Sequence, residues 1–83
     1  MRPEEYLAKR RSEIAQNLRL LRRYHGWSQK RVADYLDCSR CRVNRVEQGY
    51  IELGVAELEL LAQAFDVPLT QILDAKASLI YFP

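Results

Sequence analysis

Several features that define large protein classes are absent from this sequence of 83 residues. No run of 18 or more apolar residues occurs, so we expect no membrane span. The opening residues, MRPEEYLAKRR, are charged and contain no apolar segment, unlike a secretory signal. Two cysteines and one histidine are too few for the four ligands of a structural zinc site. We therefore expect a cytoplasmic protein without a bound metal.

The residue patterns of catalytic sites are also missing. The three glycines are scattered, so they form no phosphate-binding loop. Ser28 and Ser39 each precede a predicted helix, where a hydroxyl caps free backbone N–H groups, and this role explains them better than nucleophilic catalysis. His25 lies in a predicted turn and is interpreted as a surface residue. We expect no cofactor and no enzymatic activity.

Charge is small in total but unevenly distributed along the chain. The formal net charge is only +2. Residues 1–45 contain 12 of the 13 basic residues and five acidic ones, a net charge of +7, whereas residues 46–83 have a net charge of −5. A basic half beside an acidic half is typical of a protein that presents one side to nucleic acid. The alternative is a dipolar domain with two solvated faces.

Apolar residues recur with the spacing of amphipathic helices, and no alternating strand pattern occurs. The spacing predicts helices near residues 12–24, 29–36, 40–48, 55–65 and 68–74, and mildly favours continuing the first helix back towards the N-terminus. Trp27 is predicted to join the core. The chain therefore predicts one all-α domain.

The stretch from residue 29 to residue 49 is the most informative part of the sequence. It predicts two short helices joined by a tight turn, with Ser39 capping the second. Val43 and Val46 form the inward side of that helix, and within the helix no carboxylate precedes Glu47. A short, capped, cationic helix that rests on another helix suits the major groove of DNA.

These residues also match a known pattern. Gln29, Ala33, Val43 and Val46, followed by Glu47-Gln48-Gly49, resemble the helix-turn-helix of the phage-repressor (Cro/XRE-like) family. Apolar positions continue the match from residue 14 to residue 73 without an internal gap. The resemblance implies a five-helix, lambda-repressor-like DNA-binding domain at residues 14–74. A basic N-terminal extension would occupy residues 1–13 and an apolar C-terminal tail residues 75–83. Position 37 departs from the family, since most relatives have glycine in this turn and this chain has aspartate.

The resemblance implies a role for individual residues. Arg40 and Arg45 occupy base-reading positions, where arginine pairs with guanine, and Arg42 is expected to contact a phosphate. Arg22 and Glu47 are expected to form a partly buried pair that sets the angle of the reading helix. The expected DNA-contacting residues are Gln29, Ser39, Arg40, Cys41, Arg42, Asn44, Arg45, Gln48 and Tyr50. The alternative is that the arginines only solubilise a surface helix.

Cys38 and Cys41 form a C-x-x-C pattern that admits three interpretations. They could bind a metal, act as a redox switch, or remain as separate reduced thiols. The shortage of further ligands and the expected cytoplasmic location favour reduced thiols.

We expect a sequence-specific double-stranded DNA-binding protein that regulates transcription, as a repressor or an activator. It would act as a homodimer on an inverted-repeat operator. The alternative is a protein-interaction module, such as an antitoxin-like partner, with secondary DNA binding. The apolar tail, which contains Leu79-Ile80-Tyr81-Phe82, would then be a contact for a protein partner. It could equally be a dimer contact, pack on its own domain, or be the stub of a longer protein.

Overall fold

The computed structural model describes residues 1–75, and α-helices are the only regular secondary structure in that range. This confirms the predicted all-α fold of five helices. No helix within the described range combines the length and the apolar character that a membrane crossing needs. Apart from Ala75, the predicted apolar tail lies outside the described residues. The helices are α1 (Pro3–Tyr24), α2 (Gln29–Leu36), α3 (Arg40–Glu47), α4 (Val55–Ala64) and α5 (Leu69–Leu73).

Helix α1 begins at Pro3 and runs without a break to Tyr24, so it starts earlier than the range 12–24 predicted for the first helix. Proline suits a first helical position, where its missing N–H has no partner to lose. Two arginines fix this first part of α1 to the rest of the domain. Arg10 donates a hydrogen bond to the carbonyl of Leu73, and Arg11 Nε donates one to Glu52 Oε1 at 3.2 Å. The predicted basic extension is therefore continuous with the first helix of the domain.

The hydrophobic core lies where the apolar stripes of the helices meet. Helix α1 packs against α3 and α5, α2 against α3, and α4 against α5. Trp27 is half-buried at the edge of the core, where its ring meets that of Phe65 edge-on with 5.0 Å between centroids. The core consists of Leu18, Leu21, Val32, Ala33, Val43, Val46, Leu53, Leu58, Leu61, Ala62, Phe65 and Ile72.

Two tight turns fix the position of α3. Asp37, at the end of α2, adopts a left-handed conformation with φ of 55°. Aspartate tolerates this conformation better than most residues, which explains how the chain replaces the usual glycine. After α3, Gly49 has φ of 80°, and a Cβ atom there would lie 3.6 Å from the Cα atom of Ser12 in α1. Helix α3 is thus held by α2 at its start and by α1 at its end.

Candidate nucleic-acid interface

Helix α3 presents a polar, cationic ridge to solvent. Ser39 Oγ caps the helix by accepting a hydrogen bond from the backbone N–H of Arg42 at 3.1 Å. Val43 and Val46 are buried on the inward side of α3, where they join the core. Asn44, on the outward side, is half-buried. The exposed residues of the ridge are Arg40, Cys41, Arg45 and Gln48.

The charges of Arg40 and Arg45 are not neutralised within the described part of the chain. Neither side chain has a carboxylate partner among residues 1–75, whereas five other cations there do: Arg10, Arg11, Arg22, Lys30 and Arg42. An unpaired guanidinium on an exposed helix can donate two parallel hydrogen bonds to a phosphate or to the edge of guanine. The ridge therefore carries two cations that are available to an anionic ligand.

The expected pair of Arg22 and Glu47 lies directly beneath the ridge. Arg22 Nε donates to Glu47 Oε2 at 2.6 Å, and its Nη2 donates to Oε1 at 2.9 Å. The two side chains are only 11% and 6% exposed. Arg22 Nη1 also donates to the carbonyl oxygen of Trp27 at 2.9 Å. This network joins α1, the turn before α2, and the end of α3, and the role expected for the pair, setting the angle of α3, stays a prediction.

Gln29, the first residue of α2, extends the network to the ridge. Its Nε2 donates to Glu47 Oε1 at 3.2 Å, and its Oε1 accepts from Asn44 Nδ2 at 3.4 Å. Glu47 therefore orients Gln29, and Gln29 orients Asn44. Gln29 thus links Glu47 to the outward side of α3, while the DNA contact expected for it stays a prediction. Together with Arg40 and Cys41, Gln29 and Asn44 line a shallow concavity at the start of α3.

Arg42 has an internal partner that the sequence did not reveal. Its Nη1 and Nη2 donate to Glu57 Oε2 and Oε1, at 2.5 and 2.8 Å. The same carboxylate accepts from the backbone N–H of Gly54 at 3.0 Å, at the start of α4. The hydrogen bonds from Arg42, followed by that from Gly54, lower the pKa of Glu57 to about 2. Arg42 thus links α3 to α4, and the phosphate contact expected for it stays a prediction.

Both cysteine thiols are free, as expected for separate reduced residues. Cys38 is half-buried and packs against the core, whereas Cys41 is exposed on the ridge of α3. Tyr50, another expected contact residue, directly follows the turn that ends α3, and its side chain is 71% exposed.

Two polar residues of α1 that the sequence pattern did not single out lie beside the end of α3. Gln16 and Arg19 line a second concavity together with Gln48 and Tyr50. Their position could have been found from spacing alone, because Arg19 lies one helical turn before Arg22, which was recognised as a partner of α3.

Within residues 1–75, five helices, with a capped cationic α3 that rests on α2 and is bonded to α1 by a buried ion pair, define a helix-turn-helix domain. Comparison with known proteins supports this class. The model of the Helix-turn-helix family matches residues 18–72, and the chain belongs to this family of double-stranded DNA-binding proteins. The predicted Cro/XRE-like resemblance is thereby confirmed.

Two similar proteins are named as regulators. A competence pilus inhibition repressor from Acinetobacter baylyi is 35% identical over 60 residues, which cover 72% of this chain and 54% of that protein. The chain thus spans about half the length of this curated relative. The crystal structure of the hypothetical transcription factor NHTF from Neisseria is similar with a TM-score of 0.69 and 33% identity. That match covers 77% of this chain and 74% of the other.

Proposed function

We propose that this protein binds double-stranded DNA sequence-specifically and regulates transcription, with α3 in the major groove. Arg40 and Arg45 carry this proposal, because they are unpaired cations within the described residues and lie on the solvent side of a capped helix. Arginine bonds the O6 and N7 atoms of guanine in the major groove, with a discrimination of about 1–3 kcal/mol per pair. We place the protein in the cytoplasm, where such a regulator meets chromosomal DNA.

Two copies of the chain are proposed to bind one operator. Specific protein–DNA complexes are about 4–10 kcal/mol more stable than non-specific ones. Two arginines in one copy supply about 2–6 kcal/mol of discrimination, which reaches only the lower part of that range. A second copy related by a two-fold axis doubles the number of base contacts. The operator would then be an inverted repeat whose half-sites are about 34–36 Å apart.

Phosphate contacts are proposed to supply much of the affinity. The start of α2 offers backbone N–H groups, and Gln29 lies there as its first residue. Neutralising phosphates releases bound counterions, so affinity should fall steeply as the salt concentration rises.

Selection from a random pool of duplexes tests this function. The full chain should enrich an inverted repeat that contains guanine, and sedimentation of the complex should give two protein copies per duplex. Absence of any enriched sequence, or affinity that does not respond to salt, would contradict DNA recognition by α3. Enrichment of a single half-site bound by one copy would contradict the dimer while leaving base recognition intact.

A further inference from the structure

We propose that the concavity beside the end of α3 is a second binding site for a DNA backbone phosphate, with Arg19 as its cation. This concavity, called the α1 concavity below, has a volume of about 310 Å³ and is lined by polar groups of Ser12, Gln16, Arg19, Gln48 and Tyr50. The inference rests on the proposed function and deepens it, because it extends the DNA contact to α1, outside the helix-turn-helix pair.

The backbone brings these groups together from two directions. Ser12, Gln16 and Arg19 share one side of α1, since their spacing of four and then three residues follows the helical period. The turn at Gly49 passes close to Ser12 and leads directly to Tyr50. Hydroxyl, amide and guanidinium donors therefore converge on one concave surface. Phosphate oxygens accept hydrogen bonds from such donors.

Charge in the α1 concavity favours an anion. The carboxylate that lines it belongs to Glu47, which is buried and accepts two hydrogen bonds from Arg22 and one from Gln29. Its negative charge is thus compensated within the protein. Arg19, in contrast, has no carboxylate partner within residues 1–75. A bound phosphate would give this guanidinium an ionic partner.

The location also fits a phosphate rather than a base. The concavity of Gln29 and Arg40 lies at the start of α3, and the α1 concavity lies at its end. A helix in the major groove has a phosphate chain along each wall of the groove. Donors at both ends of α3 would therefore bind backbone and fix the register of the helix, without adding base preference.

Salt dependence of binding tests the inference, with Arg19→Gln compared with Arg31→Gln. The control removes the same charge from a residue that lines neither concavity and lies 4.1 Å above the ring of Trp27. For Arg19→Gln, the slope of log affinity against log salt should fall in magnitude by about 0.9. Affinity should weaken equally for the selected operator and for a random duplex. Arg31→Gln should keep the wild-type slope.

Tyr50→Phe provides a second test that does not depend on the folding of Arg19→Gln. It removes one hydroxyl from an exposed side chain, so the domain should remain folded. Affinity should fall roughly three- to tenfold on both duplexes, as expected for the loss of one hydrogen bond.

Each failure has a distinct signature. If the wild type selects a sequence but Arg19→Gln keeps the slope of its control, the phosphate site is refuted and the proposed function stands. If Arg19→Gln does not fold, an unchanged affinity of Tyr50→Phe refutes the site in the same way. If the wild type binds random duplex without selecting a sequence, sequence-specific recognition is refuted, and the slopes of Arg19→Gln and Arg31→Gln on random duplex still decide the phosphate site.

Discussion

Apolar replacement of the Arg22–Glu47 pair should separate its effect on stability from its effect on DNA binding. Arg22→Met or Glu47→Leu alone leaves one charge without its partner, and both side chains are nearly buried, at 11% and 6% exposure. Breaking such a pair costs about 3–5 kcal/mol of unfolding free energy. A domain of this size has a total stability of roughly 4–12 kcal/mol, so each single variant should be severely destabilised.

The double variant Arg22→Met/Glu47→Leu should recover stability but not DNA binding. Apolar residues of similar volume leave no buried charge, so its unfolding free energy should lie within about 1 kcal/mol of the wild type. The anchor that holds Gln29, and through it Asn44, is nevertheless lost. We expect affinity for the operator to fall at least about tenfold, equivalent to about 1.4 kcal/mol.

Urea unfolding gives the unfolding free energy, and fluorescence anisotropy of a labelled operator gives the affinity. Both are measured on the wild type, the two single variants and the double variant. A double variant that is as unstable as the sum of its single variants would show that the two charges do not stabilise each other. A double variant that is stable and binds like the wild type would refute the assigned role of the pair in orienting α3.

Three further predictions concern single side chains on or near α3. Arg45→Ala should relax base preference at one position in each half-site by about 1–3 kcal/mol, and a repeated selection that returns the original sequence would contradict this. Glu57 has a pKa of about 2, below its ordinary value of 4.5, so its stabilising contribution should be complete above about pH 4.5 and lost as the pH falls towards 2. Urea unfolding at a series of pH values should show this loss in the wild type but not in Glu57→Gln, and identical profiles would refute the role of the ion pair. Alkylation should lower DNA affinity in the wild type and in Cys38→Ser, but not in Cys41→Ser. The reason is that the Cys41 thiol is exposed on the ridge, whereas the Cys38 thiol is half-buried. Full affinity of the alkylated wild type would place that ridge outside the interface.

Much of the fold could be predicted because the relevant interactions are local. Ser28 and Ser39 each precede a helix by one residue, and both cap it as expected. Asp37 adopts the left-handed conformation that the turn requires. The inward positions of α3 followed directly from the helical period. Capping and turn formation depend on a few neighbouring residues, so the sequence alone specifies them.

Contacts between distant helices could not be predicted in the same way. The bond between Arg42 and Glu57 requires α4 to pack beside α3, which no local pattern specifies. Asn17 is buried on the apolar side of α1, where it donates to the carbonyls of Ile72 and Asp74 at 2.8 and 2.7 Å. These bonds satisfy open carbonyls of α5, a need that is visible only once α5 has docked. Arg22 and Glu47 were paired correctly only because the family resemblance supplied their partnership.

Methylation interference on the selected operator tests most directly whether α3 reads bases in the major groove. Methylation of guanine N7 blocks the acceptor that arginine uses there. In each half-site, the wild type should lose affinity when the guanine contacted by Arg40 or the guanine contacted by Arg45 is methylated. Arg45→Ala should become insensitive to methylation of the guanine that Arg45 contacts. Binding that tolerates N7 methylation at every guanine, or the same interference pattern in the variant, would contradict recognition by α3.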